Sequence, residues 1–286
     1  VFSQKNQIFR LTARENQDVN GYFMCDIGRY GFHRFEEIDR VVQPLMRNGE
    51  TFDALDWDEA IQKTAKLIEQ AKGKTARIGS PFHTNESNFL LGQMMAGILG
   101  SLPPIQGEEI NYPSGFRISA DRSPNFRGMT DIFAEIPENF LFELNDRNIC
   151  GLYILDDGVD RELDETWKDI LARMDFIVVQ SYAMTDLAKS AHIVLPGLAP
   201  FEREGTITND LGRVQWLRPS LPIQGEAKPD WEILALVMKE MHPEQQPMQD
   251  ISQVMKEMGA RFPAYKDLSF FRLGSTGISL NGSDEA

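Results

Sequence analysis

Two short patterns typical of buried strands lie close together in the second half of the chain. Residues 176–179 and 192–195 are runs of apolar and β-branched side chains, each followed by turn-forming residues. The seven residues at 185–191 leave room for only a short crossover helix. The pattern predicts a compact βαβ unit whose strand ends are Gln180-Ser181 and Pro196-Gly197. Ligands of open α/β sheets bind at such ends, and the polar loop 202–213 follows directly.

The remaining periodicity places helices and strands in alternation. We expect helices over 57–72, 85–99, 163–174, 230–241 and 251–258, and strands over 75–80 and 151–155. Residues 1–47 are rich in strand and turn signals, 44–49 form a connector and 102–128 a loop. This order predicts an α/β fold with doubly wound, mainly parallel sheets in Rossmann-like lobes, and a small β-rich part at the N-terminal side.

The amino-acid composition and net charge limit the kinds of molecule that the chain is expected to bind. The chain of 286 residues has a formal net charge of −14, which disfavours direct binding of nucleic acid or anionic headgroups. No apolar run approaches the roughly 20 residues that span a bilayer, so we expect no direct membrane insertion. Two cysteines, Cys25 and Cys150, cannot form a disulfide framework, which favours a reducing, cytoplasmic setting.

Most motifs of common catalytic sites are absent from the sequence. It contains no HExxH, GxGxxG, GxxxxGK[ST], GxSxG or CxxC motif, and its four histidines lack metal-ligand spacing. Cys25 stands in the glycine-flanked turn CDIGRYG, where Gly28 and Gly31 allow the backbone to come close to inorganic sulfur. A single cysteine is also common as a small buried apolar side chain, so both interpretations stay open at this point.

Several distinctive segments occur in order along the chain: YFMCDIGRYGF at 22–32, LDWDEA at 55–60, ADRSPNFRG at 120–128, VQSYAMTDLAKSAHIVLP at 179–196, EGTITNDLGRVQ at 204–215, GEAKPDW at 225–231 and FPAY at 262–265. These segments resemble motifs of the molybdopterin oxidoreductases, in particular of the large iron–sulfur (G-type) subunits of bacterial NADH:quinone oxidoreductase, respiratory complex I. They extend over nearly the whole chain. The chain is therefore expected to be a C-terminal fragment of such a protein.

The resemblance implies a division of the chain and one cluster ligand. Residues 1–47 would be the remnant of a [4Fe–4S] domain, 48–147 a first α/β lobe, 148–242 a second Rossmann-like lobe, and 243–286 a C-terminal helix and tail. In relatives the thiolate at the position of Cys25 is the fourth ligand of the cluster. The other three ligands lie upstream, and no cysteine precedes Cys25 here.

The resemblance also names residues that would line a nucleotide cleft if a molybdopterin guanine dinucleotide were bound. These are Ser181, Thr185, Thr206, Asn209 and Arg213. In the molybdenum enzymes the turn after the strand at 152–155 helps to bind the pyrophosphate. Here that turn is Asp156-Asp157-Gly158, and two carboxylates would repel the phosphates, so the cofactor is disfavoured.

Three hypotheses follow. In the first, the chain is part of a complex I-type subunit that scaffolds the enzyme and supports electron transfer. The chain would not be catalytic by itself, and partner subunits would hold it at the inner face of the membrane. The second is a fragment of a molybdopterin guanine dinucleotide-dependent oxidoreductase of formate dehydrogenase type. The third is a non-catalytic α/β binding module, which leaves the ordered motifs unexplained.

Overall fold

The computed structural model describes residues 1–35, 38–113, 117–133, 136–137, 140–146, 148–159 and 163–281. The strands are β1 (Phe2–Gln4), β2 (Gln7–Arg10), β3 (Leu45–Asn48), β4 (Thr51–Ala54), β5 (Thr75–Gly79), β6 (Leu99–Ser101), β7 (Ile110–Asn111), β8 (Arg117–Ile118), β9 (Gly151–Leu155), β10 (Phe176–Ser181), β11 (Ile193–Pro196), β12 (Gly205–Thr208), β13 (Arg213–Leu217) and β14 (Ile278–Ser279). The helices are α1 (Asp26–Tyr30), α2 (Trp57–Gln70), α3 (Asn85–Gln93), α4 (Phe126–Ile132), α5 (Phe140–Asp146), α6 (Glu165–Ala172), α7 (Asp186–Ser190), α8 (Asp230–Met241), α9 (Ile251–Arg261) and α10 (Phe270–Leu273). Two 3₁₀ turns cover Gly31–Phe35 and Pro263–Tyr265.

A seven-stranded mixed sheet forms the centre of the molecule, in the order β4-β3-β11-β10-β9-β5-β6. The five strands from β11 to β6 run parallel, and the β3–β4 hairpin adds an antiparallel edge. Strands β9 and β10 are buried along their whole length. Alternate side chains enter two hydrophobic clusters, Tyr153 and Val178 in one and Ile154 and Val179 in the other. These two clusters bury both faces of the sheet and account for the apolar runs in the sequence.

The predicted βαβ unit is confirmed as β10, α7 and β11, and the mixed α/β class with it. The structure has one central sheet where sheets in two lobes were expected. Strands β5 and β6 of the predicted first lobe pair with each other, and β5 also pairs with β9 of the predicted second lobe. The predicted boundary at 147/148 therefore falls inside a sheet. The doubly wound, Rossmann-like wrapping and the four-part division stay predictions.

The predicted loop at 102–128 contains β7, β8 and the start of α4. Three further predicted loops or helix ends differ in the structure. Helix α3 ends at Gln93 rather than 99, and Leu99–Ser101 instead forms the edge strand β6. The connector at 44–49 contributes to the β3–β4 hairpin, with Gly49 at positive φ in its turn. The polar loop at 202–213 contains β12 and the start of β13, which pair antiparallel. Short strands with half-polar sequences give a weak periodic signal, so the pattern missed all three.

The N-terminal part is small and β-rich, as expected. Strands β1 and β2 form a hairpin, and Ile8, Leu11 and Phe32 make a minor cluster that packs against Phe201 and Leu221. Within the described residues, no helix combines the length and apolar character needed to cross a bilayer.

Candidate functional site at the strand ends

Polar residues follow four neighbouring parallel strands at the same edge of the sheet. Ser80 follows β5, Asp156 and Asp157 follow β9, Ser181 ends β10, and Gly197 follows β11. This edge is where an open α/β fold binds its ligands. All four side chains that can hydrogen-bond are almost completely buried, so their partners decide what the edge can bind.

Asp156 is held by two hydroxyl groups. Its Oδ2 accepts hydrogen bonds from Ser181 Oγ at 3.0 Å and from Thr185 Oγ1. Burial, reinforced by the neighbouring Asp157, raises the pKa of Asp156 to about 6, although the hydroxyls act in the opposite direction. The carboxyl group is therefore mostly charged at physiological pH and takes up a proton as the pH falls through about 6.

Asp157 accepts hydrogen bonds from two further donors beside Asp156. Its Oδ2 accepts from Ser80 Oγ at 2.8 Å, and its Oδ1 accepts from the Val159 amide at 3.0 Å. The turn then continues through Gly158 at φ +66, against which the Tyr182 ring packs. A Cβ at Gly158 would lie 2.3 Å from Tyr182 Cζ, so only glycine fits this turn.

A second group of buried charges lies beside the first. His83 Nε2 donates to the Asp156 carbonyl at 3.0 Å, and its Nδ1 lies 3.7 Å from Asp230 Oδ2. Arg203 Nε contacts the same Asp230 oxygen at 3.1 Å. Burial, and then the Arg203 charge, lower the pKa of His83 to about 4, so the ring is neutral at physiological pH.

Strand β10 is tied to helix α8 through Asp230. Gln180 Nε2 donates to Asp230 Oδ1 at 2.8 Å, and Gln180 Oε1 accepts from Tyr153 at 2.9 Å. Gly197 leaves the space for this contact, since a Cβ there would come within 2.4 Å of Asp230 Oδ1. The strand ends are thus closed by bonds between side chains of the chain itself.

The β12–β13 hairpin is fixed by the N-terminal turn of α3. Glu86 accepts from the Thr206 amide at 2.8 Å and from the Thr206 hydroxyl at 2.7 Å. Asn85 Nδ2 donates to the hydroxyls of Thr206 and Thr208, both at 3.0 Å. Burial raises the pKa of Glu86, while its bonds to Thr206 counteract the shift. All four residues are buried, so this network holds the hairpin in place.

The structure brings together two of the five predicted cleft residues. Ser181 and Thr185 meet at Asp156, whereas Thr206 faces Glu86. Asn209 accepts from the Arg213 amide at 2.8 Å in the hairpin turn. The Arg213 guanidinium contacts Asp18 at 3.2 Å and the Gly277 carbonyl at 3.0 Å. The role of all five as cofactor ligands stays a prediction.

Sequence reasoning gave no role to several buried charged residues. Glu86, Arg203 and Asp230 are each at most 3% exposed. For His83, the sequence favours a structural role and leaves open that it caps a helix or touches a ligand. The sequence carries no local signal for the burial of Glu86, since its neighbours Asn85, Ser87 and Asn88 are polar residue types that are usually exposed.

Cys25 lies apart from the strand ends, in the N-terminal part. It is exposed and caps α1, with its Sγ accepting from the Gly28 amide at 3.3 Å. An accessible sulfur with a backbone donor suits a cluster ligand. Among the described residues no group of three or more histidine, cysteine or carboxylate side chains could hold a metal ion, so further ligands would have to come from outside them.

Residues 125–240 match the sequence profile of the family described as molybdopterin oxidoreductase. The chain contains a molybdopterin oxidoreductase domain. It is 28% identical over 245 residues to a protein described as a formate dehydrogenase in Staphylococcus haemolyticus, covering 76% of this chain and 24% of that one. It is 38% identical over 109 residues to an F420-dependent formate dehydrogenase 2 subunit alpha of Methanococcus maripaludis, covering 38% and 16%. It is 39% identical over 89 residues to the G subunit of the NADH-quinone oxidoreductase of Salmonella typhimurium, covering 31% and 10%.

The fold of the chain has a counterpart among solved structures. Acetylene hydratase from Pelobacter acetylenicus superposes with a TM-score of 0.54 at 9% identity, over 85% of this chain and 67% of that one. At this identity the likeness concerns the fold alone. The aligned segments span a quarter or less of the length of the curated relatives named above.

The strand ends of this molybdopterin oxidoreductase domain do not fit a dinucleotide pyrophosphate. The hydroxyl donors that would bind a phosphate there, those of Ser80, Ser181 and Thr185, already donate to Asp156 and Asp157. These two carboxyl groups already accept the hydrogen bonds that an anionic ligand at this edge would need. A pyrophosphate would meet two buried acids at close range, which is strongly unfavourable in a low-dielectric site.

Proposed function

We propose that this chain is part of the large iron–sulfur subunit of an NADH:quinone oxidoreductase of the complex I type. In this proposal its molybdopterin oxidoreductase domain is degenerate, carries no molybdopterin, and acts as a scaffold that supports electron transfer. The observation that carries the proposal is the pair of buried carboxyl groups that accept the strand-end hydroxyls. The likeness to the Salmonella typhimurium NADH-quinone oxidoreductase chain supports the choice of complex.

Cys25 has a separate role in this proposal. Its exposed sulfur would be the fourth ligand of a [4Fe–4S] cluster whose other ligands lie outside the described residues. The sulfur needs no rearrangement of a packed core to reach a metal, because α1 has no buried residue. The chain would work with partner subunits and lie at the inner face of the membrane through them.

Metal analysis of the full-length protein, purified with its native partners, tests the proposal. We expect iron and acid-labile sulfide in the ratio of a [4Fe–4S] protein, no stoichiometric molybdenum or tungsten, and no fluorescent pterin on denaturation. A molybdoenzyme purified from the same cells is the control that shows the cofactor was available. Stoichiometric molybdenum with a released pterin would refute the proposal.

A formate dehydrogenase-type molybdoenzyme is the second candidate. It is favoured by the length of the alignment with the Staphylococcus haemolyticus protein and by Arg203 Nη2, a buried donor without a hydrogen-bond partner among the described residues. An unpaired guanidinium nitrogen suits an anion. Formate-dependent dye reduction by the purified assembly, lost when molybdenum is replaced by tungsten or omitted from the medium, would support this candidate over the first.

A further inference from the structure

An open groove lies on the C-terminal side of the molecule, between α9 and the segment 263–268. Its volume is about 540 Å³. The residues that line it are Met255, Lys256, Gly259, Ala260, Pro263, Lys266, Asp267 and Leu268. Five of these eight contribute no charged or strongly polar side-chain group, so the groove offers mainly apolar contact with charges at its rim.

The floor of the groove is closely packed. Gly259 allows α9 to approach the following segment, because a Cβ there would lie 2.8 Å from the Tyr265 carbonyl oxygen and 3.3 Å from Lys266 Cα. Met258 and Tyr265 are fully buried beneath it. The groove is therefore a preformed surface feature, which reduces the entropy lost when a segment binds.

Positive charge predominates at the rim. Lys256 and Lys266 are exposed, and neither forms an ion pair with another of the described residues. The Arg272 guanidinium adds a third cation, since its Nη1 donates to the Asp267 carbonyl at 2.8 Å. Asp267 supplies one carboxylate to the lining. A basic rim on a chain of net charge −14 is a local reversal of the overall field.

A large exposed aromatic side chain accompanies these charges. Phe271 on α10, next to Arg272, is 95% exposed, the highest value among the large apolar side chains of the described residues. Exposed aromatic and arginine side chains are typical anchors of protein interfaces. An apolar groove, a basic rim and an exposed aromatic anchor thus occur together within residues 255–272.

We infer that this groove binds a segment of a partner polypeptide that places apolar side chains in the groove and carboxylates beside Lys256 and Lys266. The inference rests on the proposed function only in requiring that the protein works with other subunits. Direct pairing of the lysines with acids would act over a few ångströms, where salt screens the attraction less than it screens the more distant negative charges of the chain.

A second copy of this chain suits the groove less well. A two-fold contact would set the same surface against itself, so the four lysines of the two linings would meet only the two Asp267 carboxylates among the lining residues. Acidic side chains on a different polypeptide satisfy both cations at once, as complementary interfaces do.

Zero-length cross-linking of the native assembly tests the inference directly. A water-soluble carbodiimide joins a lysine amine only to a carboxylate in contact with it. Applied to the full-length protein with its partners, it should join Lys256 or Lys266 to an aspartate or glutamate of another polypeptide, identified by mass spectrometry. Links only to the same chain, only to a second copy, or none while other lysines react, would each overturn the inference.

Charge reversal supplies an independent measure. Lys256→Glu/Lys266→Glu should weaken association with the cross-linked partner about tenfold or more, since reversing contacts with two carboxylates costs at least about 1.4 kcal/mol. Lys66→Glu/Lys72→Glu changes the net charge equally at exposed positions of α2 and the residues after it, and should alter the affinity less than about twofold. Equal effects of the two double variants would overturn the inference.

The outcomes separate this inference from the proposed function. Partner cross-links together with stoichiometric molybdenum would refute the complex I assignment and leave the groove supported. A molybdenum-free assembly without partner cross-links would refute the groove alone. Should the reversal variant fail to fold, the cross-linking of the unaltered protein still decides the question.

Discussion

Burial shifts the pKa values of Asp156 and His83 in opposite directions, so the two residues affect the pH dependence of stability with opposite signs. Replacing one of them should make the effect of the other measurable. Burial raises the pKa of Asp156 from 3.8 to about 6. The native carboxyl group then binds its proton more readily than the unfolded one. Its contribution to stability is complete below pH 3.8 and is lost as the pH rises through about 6. At about 1.36 kcal/mol for each pKa unit, the shift of about two units is worth about 3 kcal/mol.

His83 contributes with the opposite sign. Its pKa falls from 6.5 to about 4, so the unfolded chain binds the proton more readily. Its contribution is complete above pH 6.5 and is lost as the pH falls through about 4. The magnitude is again about 3 kcal/mol. As the pH falls from about 7 to about 4, the stability gained through Asp156 nearly cancels the stability lost through His83 in the natural protein.

Asp156→Asn removes one side of this balance. The amide oxygen can still accept from Ser181 and Thr185, so the hydroxyl contacts survive. Relative to the natural chain, the variant should lose about 2 kcal/mol of unfolding free energy when the pH is lowered from about 7 to about 4, because the contribution of Asp156 is not yet complete at pH 4. Urea unfolding of both proteins across this range, followed by tryptophan fluorescence, measures the difference directly.

A matched control separates the buried group from general charge effects. Asp169 is an exposed carboxylate on α6, and Asp169→Asn should leave the difference from the natural chain nearly constant with pH. If the difference for Asp156→Asn is also constant over the range, the Asp156 carboxyl does not titrate as its burial requires, and the reasoning is refuted.

Three further predictions concern the cluster ligand and the closure of the strand ends. Cys25→Ala should remove one [4Fe–4S] signal from the electron paramagnetic resonance spectrum of the full-length protein with little change in stability, and Cys150→Ala should keep that signal; an unchanged spectrum for the first variant would exclude the ligand role. Gly197→Ala should lower the unfolding free energy by about 1–3 kcal/mol, because the added methyl group would displace the Asp230 carboxylate. Urea titration measures this loss, and an unchanged unfolding free energy would contradict the prediction. Glu86→Gln turns an amide towards donors of the β12–β13 hairpin and should cost about 1–3 kcal/mol, with faster hydrogen exchange of that hairpin as the distinguishing measurement.

The helices and central strands could be predicted because their own side chains bury them. The predicted helix at 230–241 coincides with α8, and the one at 57–72 contains α2. Apolar residues at helical or strand spacing carry this information locally. The hairpins β3–β4 and β12–β13 lacked it, because their exposure is mixed and their strands are only four or five residues long.

The partners of the site residues could not be predicted in the same way. The sequence placed Ser181 at a strand end and Thr185 at the start of the crossover helix, and it identified the unusual acidic turn. It could not show that Thr206 is bound by Glu86, 120 positions earlier in the chain. Such long-range contacts depend on the order of strands in the sheet, which no local pattern encodes.

The acidic turn explains why a domain of this family can keep its strand ends closed without a bound nucleotide. Buried hydroxyl donors need acceptors, and a phosphate would normally provide them at this edge. Asp156 and Asp157 provide them from within the chain, as Asp230 and Glu86 do for Gln180 and Thr206. An added polyanion would have to break these bonds and bring further negative charge into the same low-dielectric region. The proposed absence of the cofactor and the closure of the strand ends would therefore have the same cause, the two carboxyl groups of this turn.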